Sequence, residues 1–304
     1  MPASTVRPFH RADRDQLTDL VNAHVAAVLP GVSVSVNTVL SQLERQPGEF
    51  ITDPWVSERV TLVAESRRHV VGAAHLLRYR ADDQVGETYR DAGEIDWFVC
   101  HPPASFRPDA EQAADQLMAA CLAQLARWDV RVRYADGSVP APAVYGLPRN
   151  WPHVRAVYER AGFRHVGDTE VILIARVADL PTPAPGPGTT FERTLGVCGT
   201  RFTAYADGLA LGFVEVDTSL SRPERHARVT GLADIGNLHI EPAAHGAGLA
   251  RRLLAEAADW LRLSGVDRLL TYEAAADQAA VDRLCNVGFR ELTRTDRRWE
   301  HRPG

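Results

Sequence analysis

The sequence has few cysteines and lacks any long apolar run. Its four cysteines are scattered over 304 residues without a Cys-x-x-Cys pair, which predicts a reduced compartment and no zinc site. No apolar stretch approaches the ~20 residues of a membrane-spanning helix, and the N-terminus lacks the apolar segment of a signal peptide. We therefore expect a cytoplasmic protein that has no membrane partner and binds no metal.

An excess of basic residues is also missing. The chain has 34 Lys and Arg residues against 39 Asp and Glu residues, which gives a formal net charge of −5. Because nucleic-acid-binding proteins present a basic surface, nucleic acid is not an expected partner. A hydrophobic fraction of 45% is ordinary for a globular protein, and 304 residues are enough for two domains.

The most informative stretch, Asp234–Trp260, has the order strand, glycine loop, helix. An apolar strand, Ile235–Ile240, stops at Pro242, and a loop with two glycines, Gly246 and Gly248, follows. Apolar residues then recur at helical spacing, at Leu249, Leu253, Ala257 and Leu261. Such a loop directs backbone N–H groups and the positive end of a helix at one point, which favours phosphate binding. The alternative is a tight strand-to-helix connection without a ligand.

The loop fits neither a P-loop nor the three-glycine dinucleotide motif, since it lacks the Lys-Ser/Thr pair and the third glycine. It resembles the pyrophosphate loop of the GNAT acetyltransferase superfamily, in which Arg/Gln-x-x-Gly-x-Gly/Ala follows a strand ending in Val-x-Pro. Ile240–Pro242 matches the strand end, Gly248 and Ala250 match the small positions, and His245 replaces the family's Arg or Gln. The resemblance implies acetyl-CoA as acyl donor. The residues that it implies for acetyl-CoA binding are Leu238, Ile240, His245, Gly246, Ala247, Gly248, Leu249, Ala250, Arg251 and Asp277.

An internal repeat extends this resemblance to nearly the whole chain. Glu94–Pro102 aligns with Asp234–Pro242, acid first and proline last, and Val157–Arg164 aligns with Arg283–Arg290 around a shared Gly-Phe-Arg. Two GNAT-like domains are therefore expected. For the fold, the resemblance implies an α/β (α+β) class in which each domain has a mixed, mostly antiparallel central sheet, flanking helices and a splayed pair of parallel strands.

The stretch Pro181–Gly188 contains four prolines and two glycines and predicts an extended linker. We accordingly predict a first domain at 1–180, a linker at 181–188 and a second domain at 189–304. Apolar periodicity predicts helices at Arg14–Val28, Val36–Leu43, Ala113–Trp128 and Pro152–Arg160. The second half begins instead with a meander of three strands, so it is expected to lack the two early helices of the family.

The two halves are not equally equipped to bind a phosphate. After Pro102 the first half has no glycine before its helix, but it has two acids, Asp109 and Glu111, and further prolines. Acids repel a pyrophosphate, and side chains obstruct the backbone N–H groups. We therefore expect the N-terminal domain to be a degenerate copy that shapes the acceptor site, and the C-terminal domain to be catalytic.

Acyl transfer to an amine requires a base, because a protonated amine is not a nucleophile. Asp234 is the predicted base, since it lies six residues before Ile240, where the resemblance places the glutamate of histone-modifying members. The alternative is that Asp234 only ends a turn in solvent. Backbone N–H groups near Leu238–Ile240 are expected to polarise the thioester carbonyl.

The general acid is less clearly marked. The family's tyrosine falls at Leu284, which cannot donate a proton, whereas the first half keeps it at Tyr158. We read Tyr158 as a core residue and predict His239 as the acid in the second half. Tyr272 is an alternative, and so is unassisted departure of the thiolate.

The sequence thus predicts direct transfer of an acetyl group from acetyl-CoA to the amine of a small molecule in a ternary complex. A covalent acyl-enzyme is not expected, because no cysteine is placed for it. One alternative is a mycothiol-synthase-like activity, since that enzyme resembles this chain in its tandem arrangement. Another is a non-catalytic acyl-CoA-binding module, which Leu284 favours. The oligomeric state is expected to be monomer or homodimer.

Overall fold

A computed structural model describes residues 4–44, 54–103, 109–184, 188–221, 226–228, 231–244 and 248–301. The chain forms two compact units, one of residues 1–169 with 295–304 and the other of residues 170–294. The fold is α+β, because both units contain a mixed sheet and flanking helices. Among the described residues, no helix combines the length and the apolar content needed to cross a membrane.

The first unit contains most of the chain's helices. Its elements in chain order are β1 (Thr5–Pro8), α1 (Arg14–Val28), β2 (Ser33–Val34), α2 (Val36–Leu43), β3 (Val56–Ser66), β4 (His69–Tyr79), β5 (Ala92–Cys100), α3 (Ala110–Arg127), β6 (Val132–Ala135), β7 (Leu147–Pro148), α4 (Pro152–Arg160) and β8 (Phe163–His165). Its main sheet has the order β1-β3-β4-β5-β6-β17-β8, in which β17 is Trp299–His301. In this sheet β5 and β6 pair in parallel, whereas β1 with β3, β3 with β4, β4 with β5, and β17 with both β6 and β8 pair antiparallel.

The second unit follows the same plan without the early helices. Its elements are β9 (Thr169–Arg176), β10 (Thr190–Gly196), β11 (Gly199–Ala206), β12 (Leu209–Asp217), β13 (His226–Arg228), β14 (Leu232–Ile240), α5 (Leu249–Leu263), β15 (Arg268–Ala274), α6 (Gln278–Cys285) and β16 (Arg290–Asp296). The strand order is β10-β11-β12-β14-β15-β9-β16. As predicted, no α-helix precedes β14 among the described residues of this unit.

The structure divides the chain differently from the predicted boundaries at 1–180, 181–188 and 189–304. Strand β9, which ends the first repeat, lies between β15 and β16 of the second unit, and β17, which ends the second repeat, lies between β6 and β8 of the first. The proline-rich stretch marks where the chain is extended, but its composition cannot tell which sheet the preceding strand joins. Each repeat therefore gives its last strand to the other unit's sheet.

Local sequence signals account for several element ends. The Ser35 hydroxyl accepts a hydrogen bond from the Thr38 N–H at 3.1 Å and caps α2, and Pro152 begins α4. Between β3 and β4 the two turn residues, Arg67 and Arg68, have φ of 52° and 67°, as a two-residue hairpin turn requires.

The core of the second unit lies between its sheet and α5. The helix buries a stripe of leucines and alanines at the spacing that the sequence predicts, and this stripe packs against inward-facing residues of the strands. The buried residues are Leu249, Leu253, Leu254, Ala257, Ala258 and Leu261 on α5, and Phe202, Ala204, Val214, Val216, Ala233 and Ile235 on the strands. This packing fixes the first turn of α5 beside the end of β14.

Candidate active site

Two parallel strands of the second unit separate in the middle of the sheet. Strands β14 and β15 pair only over Leu232–Asp234 and Arg268–Leu270. Beyond Asp234 each strand continues, β14 to Ile240 and β15 to Ala274, while remaining paired with its other neighbour. The separation therefore opens a gap inside the sheet whose closed end is at Asp234.

A cleft of about 900 Å³ lies at this gap and is bounded by the first turns of α5 and by α6. Eight of the residues predicted from the sequence line it together: Leu238, His239, Ile240, Gly248, Leu249, Ala250, Arg251 and Asp277. His245, Gly246 and Ala247 lie outside the described residues. The remaining lining residues are Pro242, Ala244, Leu254, Glu273, Ala280, Arg283, Leu284 and Val287.

Gly248 is the residue that precedes α5 and it has a left-handed backbone, with φ of 65° and ψ of 18°. Only glycine adopts this conformation without strain, and a Cβ placed there would meet no atom of the described residues within 4 Å. As far as the described residues show, the space beside the positive end of α5 is thus open to the cleft. Arg252 does not share this space, since its Nη1 donates to the Thr189 hydroxyl at 2.9 Å.

Charged residues of both signs line the cleft. Arg251, in the first turn of α5, and Arg283, on α6, are exposed cations. On the other side, the Asp277 carboxylate accepts a hydrogen bond from the Ala280 N–H at 2.9 Å and caps α6. Burial, with the negative charge of Asp277, raises the pKa of Glu273. The basic part of the cleft therefore lies at the N-terminus of α5.

Asp234 and Tyr272 meet across the closed end of the gap. The Tyr272 hydroxyl donates to Asp234 Oδ2 at 3.5 Å, the outer limit of a hydrogen bond. The parallel register explains the contact, because Asp234 pairs with Leu270 and Tyr272 is two residues further along the same face of β15. Both side chains are half-buried. A carboxylate and a phenol capable of handling protons thus lie together where the strands separate.

His239, the predicted general acid, has other contacts. Its ring is 48% exposed and its Nε2 lies 3.2 Å from Glu241 Oε1. The ring also lies 5.6 Å from that of Phe213 on the neighbouring strand. The structure therefore places His239 at the edge of the cleft, beside the Glu241 carboxylate.

Leu284 lies on α6, where the family carries a tyrosine, and is buried in the core of the second unit. The equivalent residue of the first unit, Tyr158, is fully buried, and its hydroxyl donates to the Asp136 carbonyl at 2.6 Å. Tyr158 also packs edge-on against Phe98. This environment is that of a core tyrosine, as the sequence analysis expected.

The first unit has a smaller cleft at the corresponding place. Its volume is about 280 Å³, and it is lined by the end of β5, the start of α3 and one face of α4. On its rim Arg160 forms ion pairs with Glu111 at 3.1 Å and with Asp115 at 2.7 Å. These carboxylates lie near the N-terminus of α3, where an anionic ligand would have to bind. Within its described residues, which omit 104–108 just before α3, the first unit shows no open, basic corner like that of the second.

Glu94 of the first unit is the equivalent of Asp234, but it is buried. Its carboxyl accepts a hydrogen bond from the Tyr79 hydroxyl. Burial, together with the nearby charge of Asp136, raises the pKa of Glu94 to about 7. A carboxyl that is closed off from solvent and bonded in this way has no access to an incoming amine.

The Tyr158→Phe variant should transfer acetyl groups at close to the wild-type rate but unfold at a lower temperature. The change removes the hydrogen bond from the Tyr158 hydroxyl to the buried Asp136 carbonyl, which costs about 0.5–1.5 kcal/mol of stability. Thermal unfolding and steady-state kinetics on the same sample test this. A hundredfold slower enzyme of unchanged melting temperature would show instead that Tyr158 takes part in catalysis.

Some lining residues could not be identified by motif. Glu273 and Arg283 match no family position used to predict the site, although the helical spacing of Ala280 and Leu284 indicates that one face of α6 turns to the cleft. Tyr272 was only an alternative, because its distance from Asp234 depends on the register between two strands.

A comparison with protein families gives a match within the part of the chain that forms most of the second unit. Residues 179–289 match the model of the acetyltransferase (GNAT) family. The search of curated proteins gave no significant match.

Solved structures with the same fold cover almost the whole chain. One is a tandem GNAT protein from the clavulanic acid biosynthesis pathway, 15% identical with a TM-score of 0.64, matched over 99% of this chain and 100% of that one. Another is a GCN5-related N-acetyltransferase from Sphaerobacter thermophilus, 15% identical with a TM-score of 0.62, over 99% and 96%. A third is the glucosamine N-acetyltransferase region of a fungal multi-domain β-N-acetylglucosaminidase, 14% identical with a TM-score of 0.63, over 99% of this chain but only 38% of that one.

Proposed function

We propose that the second unit transfers an acetyl group from acetyl-CoA to a small-molecule amine, because residues 179–289 match the model of the acetyltransferase (GNAT) family and the chain has the fold of a tandem GNAT protein. The observation that carries the proposal is the separation of β14 from β15 beyond Asp234, which opens onto the N-terminus of α5. A donor whose pyrophosphate carries a long, narrow arm fits this shape.

The residues of the cleft suit each part of such a donor. The open space at Gly248 and the adjacent Arg251 would hold the pyrophosphate. The edge of β14 at Leu238–Ile240 would hold the pantetheine arm and direct N–H groups at the thioester carbonyl. When bound, acetyl-CoA supplies an activated acyl group.

Asp234 and Tyr272 would handle the protons of the reaction. Asp234 would accept a proton from the acceptor ammonium, which frees the nitrogen lone pair for attack. The Tyr272 hydroxyl would hold the carboxylate in place until Asp234 is protonated. Asp234 would then donate its proton to the Tyr272 oxygen while the Tyr272 hydroxyl passes its own proton to the departing thiolate sulfur, and the new amide nitrogen would lose its extra proton to solvent. We favour Tyr272 over His239 for this second role because it is Tyr272 that contacts Asp234, at 3.5 Å.

The Gly248→Glu variant tests the assignment of the cleft. A carboxylate at this position would lie beside the pyrophosphate, and like charges about 4 Å apart repel by several kcal/mol at an effective dielectric constant near 20. We expect CoA affinity, measured by calorimetry, to fall on the order of a hundredfold.

Gly265→Glu is a matched control at the other end of α5. Gly265 also has a left-handed backbone, with φ of 72°, and open space around its Cβ. This control carries the same strain and the same added charge but lies outside the lining of the cleft. If folded Gly248→Glu and folded Gly265→Glu bind CoA with equal affinity, the cleft at Gly248 is not the CoA site.

A non-catalytic acyl-CoA-binding module is the second candidate, and Leu284 is the observation that favours it. Leucine cannot donate a proton, so the family's usual general acid is missing from α6. Release of free thiol from acetyl-CoA across a panel of primary amines distinguishes the two functions. Turnover with any amine supports the enzyme, whereas tight binding without turnover supports the module.

A further inference from the structure

The turn between β10 and β11 is held in place by a buried carboxylate. Glu215, on β12, is fully buried, and it accepts hydrogen bonds from the N–H groups of Val197 and Cys198 at 3.2 and 3.3 Å. The Arg201 Nε also donates to it at 2.6 Å. Burial opposes ionisation, but these donors outweigh it and lower the pKa of Glu215. A charge buried with three donors fixes the position of the turn.

Two glycines make room for this arrangement. A Cβ on Gly196 would lie 2.2 Å from Glu215 Oε1, and a Cβ on Gly236 would lie 2.5 Å from Cys198 Cβ. Gly236 is in a register shift of β14, where Glu215 pairs with Asn237 and the next pair falls at Ile235. Any other residue at either position would push the turn away from β14.

The turn covers β14 close to Asp234. Gly236, which Cys198 contacts, is two residues beyond Asp234 in the sequence. Burial, followed by the negative charges of Glu215, Asp234 and Asp217, raises the pKa of the Cys198 thiol. The structure therefore brings a cysteine into the neighbourhood of Asp234, which the sequence analysis did not expect. Its thiol is protonated at neutral pH, and a protonated thiol is a poor nucleophile.

Cys198 and the acyl-CoA cleft lie on opposite faces of the sheet. Leu238 and Ile240 line the cleft and pack towards the core beneath α5. Ala233 and Ile235 also face that core, so the Asp234 side chain between them points to the opposite face. An acceptor must approach Asp234 from this second face, because the donor occupies the first.

We propose that the Cys198 side chain forms a wall of the acceptor site and limits the size of the amine accepted there, and that Glu215 is the positioning residue of this wall. The inference rests on the proposed function. The acceptors are small primary amines that are unbranched next to the nitrogen, because the turn lies directly over the strand that carries the base and leaves little space there.

The test compares Cys198→Trp with Val197→Trp. Both variants place the same indole ring in the same turn, but Val197 is 91% exposed and its side chain points to solvent. Cys198→Trp should raise the acceptor KM by about tenfold or more, the scale on which a pocket rejects excess bulk. The Kd for CoA should stay within about twofold, and Val197→Trp should resemble wild type.

Cys198→Ala should gain activity on amines that are branched next to the nitrogen, relative to the unbranched amine of equal carbon count. Glu215→Gln should raise the acceptor KM more than it lowers kcat, since it loosens the wall and leaves the base in place. If Cys198→Trp does not fold, the acceptor KM of Cys198→Leu can be compared with that of Val197→Leu instead.

Two results would overturn the inference in distinguishable ways. If the wild-type protein turns over and folded Cys198→Trp has an unchanged acceptor KM, then Cys198 does not limit the acceptor, and the proposed function still stands. Absence of thiol release by the wild-type protein with every amine overturns the proposed function and the wall together.

Discussion

Replacing Asp234 with asparagine should lower turnover by roughly two to four orders of magnitude while CoA affinity stays near the wild-type value. Asparagine keeps the shape of the side chain and can still accept the Tyr272 hydrogen bond, but it cannot take a proton from the ammonium. The loss should shrink as pH rises towards the amine pKa near 10, because the free amine no longer needs a base. Steady-state rates from about pH 6 to about pH 10, with calorimetry at neutral pH, measure both effects.

Asp217→Asn is the matched control for this variant. Asp217 lies directly across from Asp234 on β12, and its carboxylate accepts hydrogen bonds from the Ser219 N–H and hydroxyl at 2.6 and 2.8 Å. The control removes the same charge from the same face without removing the proposed base, so its turnover should change much less. Wild-type rates for Asp234→Asn over the whole pH range would show that this acid is structural.

A fragment of residues 189–304, the second domain as composition alone delimits it, should fail to fold, whereas a fragment of residues 169–304 should form the sheet of the second unit. The two differ by the linker, the preceding turn and β9, which pairs with β15 from Glu170–Arg176 to Arg268–Ala274. Val171, Leu173 and Ala175 of this strand are buried in the core.

The size of this effect follows from burial. Burying a valine or leucine side chain contributes about 1.5–3 kcal/mol, and a domain of this size is stable by only about 5–15 kcal/mol in total. Removing the strand exposes these side chains and leaves β15 and β16 without their shared neighbour. Circular dichroism and thermal unfolding compare the fragments. A cooperative melt of the 189–304 fragment would contradict the observed strand exchange.

Local structure was the part of the fold that the sequence could predict. The bounds of α1, α2 and α4 agree with the predicted Arg14–Val28, Val36–Leu43 and Pro152–Arg160, because their ends carry local signals such as Ser35 and Pro152. The destinations of β9 and β17 could not be predicted, since alternation identifies a strand but says nothing about which sheet accepts it.

In the candidate site, too, features carried by contiguous residues could be predicted, whereas those that depend on strand pairing could not. The glycine loop and the strand before it were identified from contiguous residues, and they gather at one cleft. The contacts of Asp234 with Tyr272 and of Cys198 with Gly236 depend on the parallel register and on an irregularity in β14. Neither of these leaves a periodic signal in the sequence.

Amide hydrogen exchange on the full-length protein, with and without CoA, can locate the bound donor in one unit or the other. If the second unit binds acyl-CoA, exchange should slow on CoA binding in residues 236–240 of β14 and in residues 248–252 at the start of α5. Exchange should not change in the corresponding residues of the first unit, 96–101 and 110–115. Protection confined to the first unit, or binding without protection at α5, would contradict the assignment of the acyl-CoA site to the second unit.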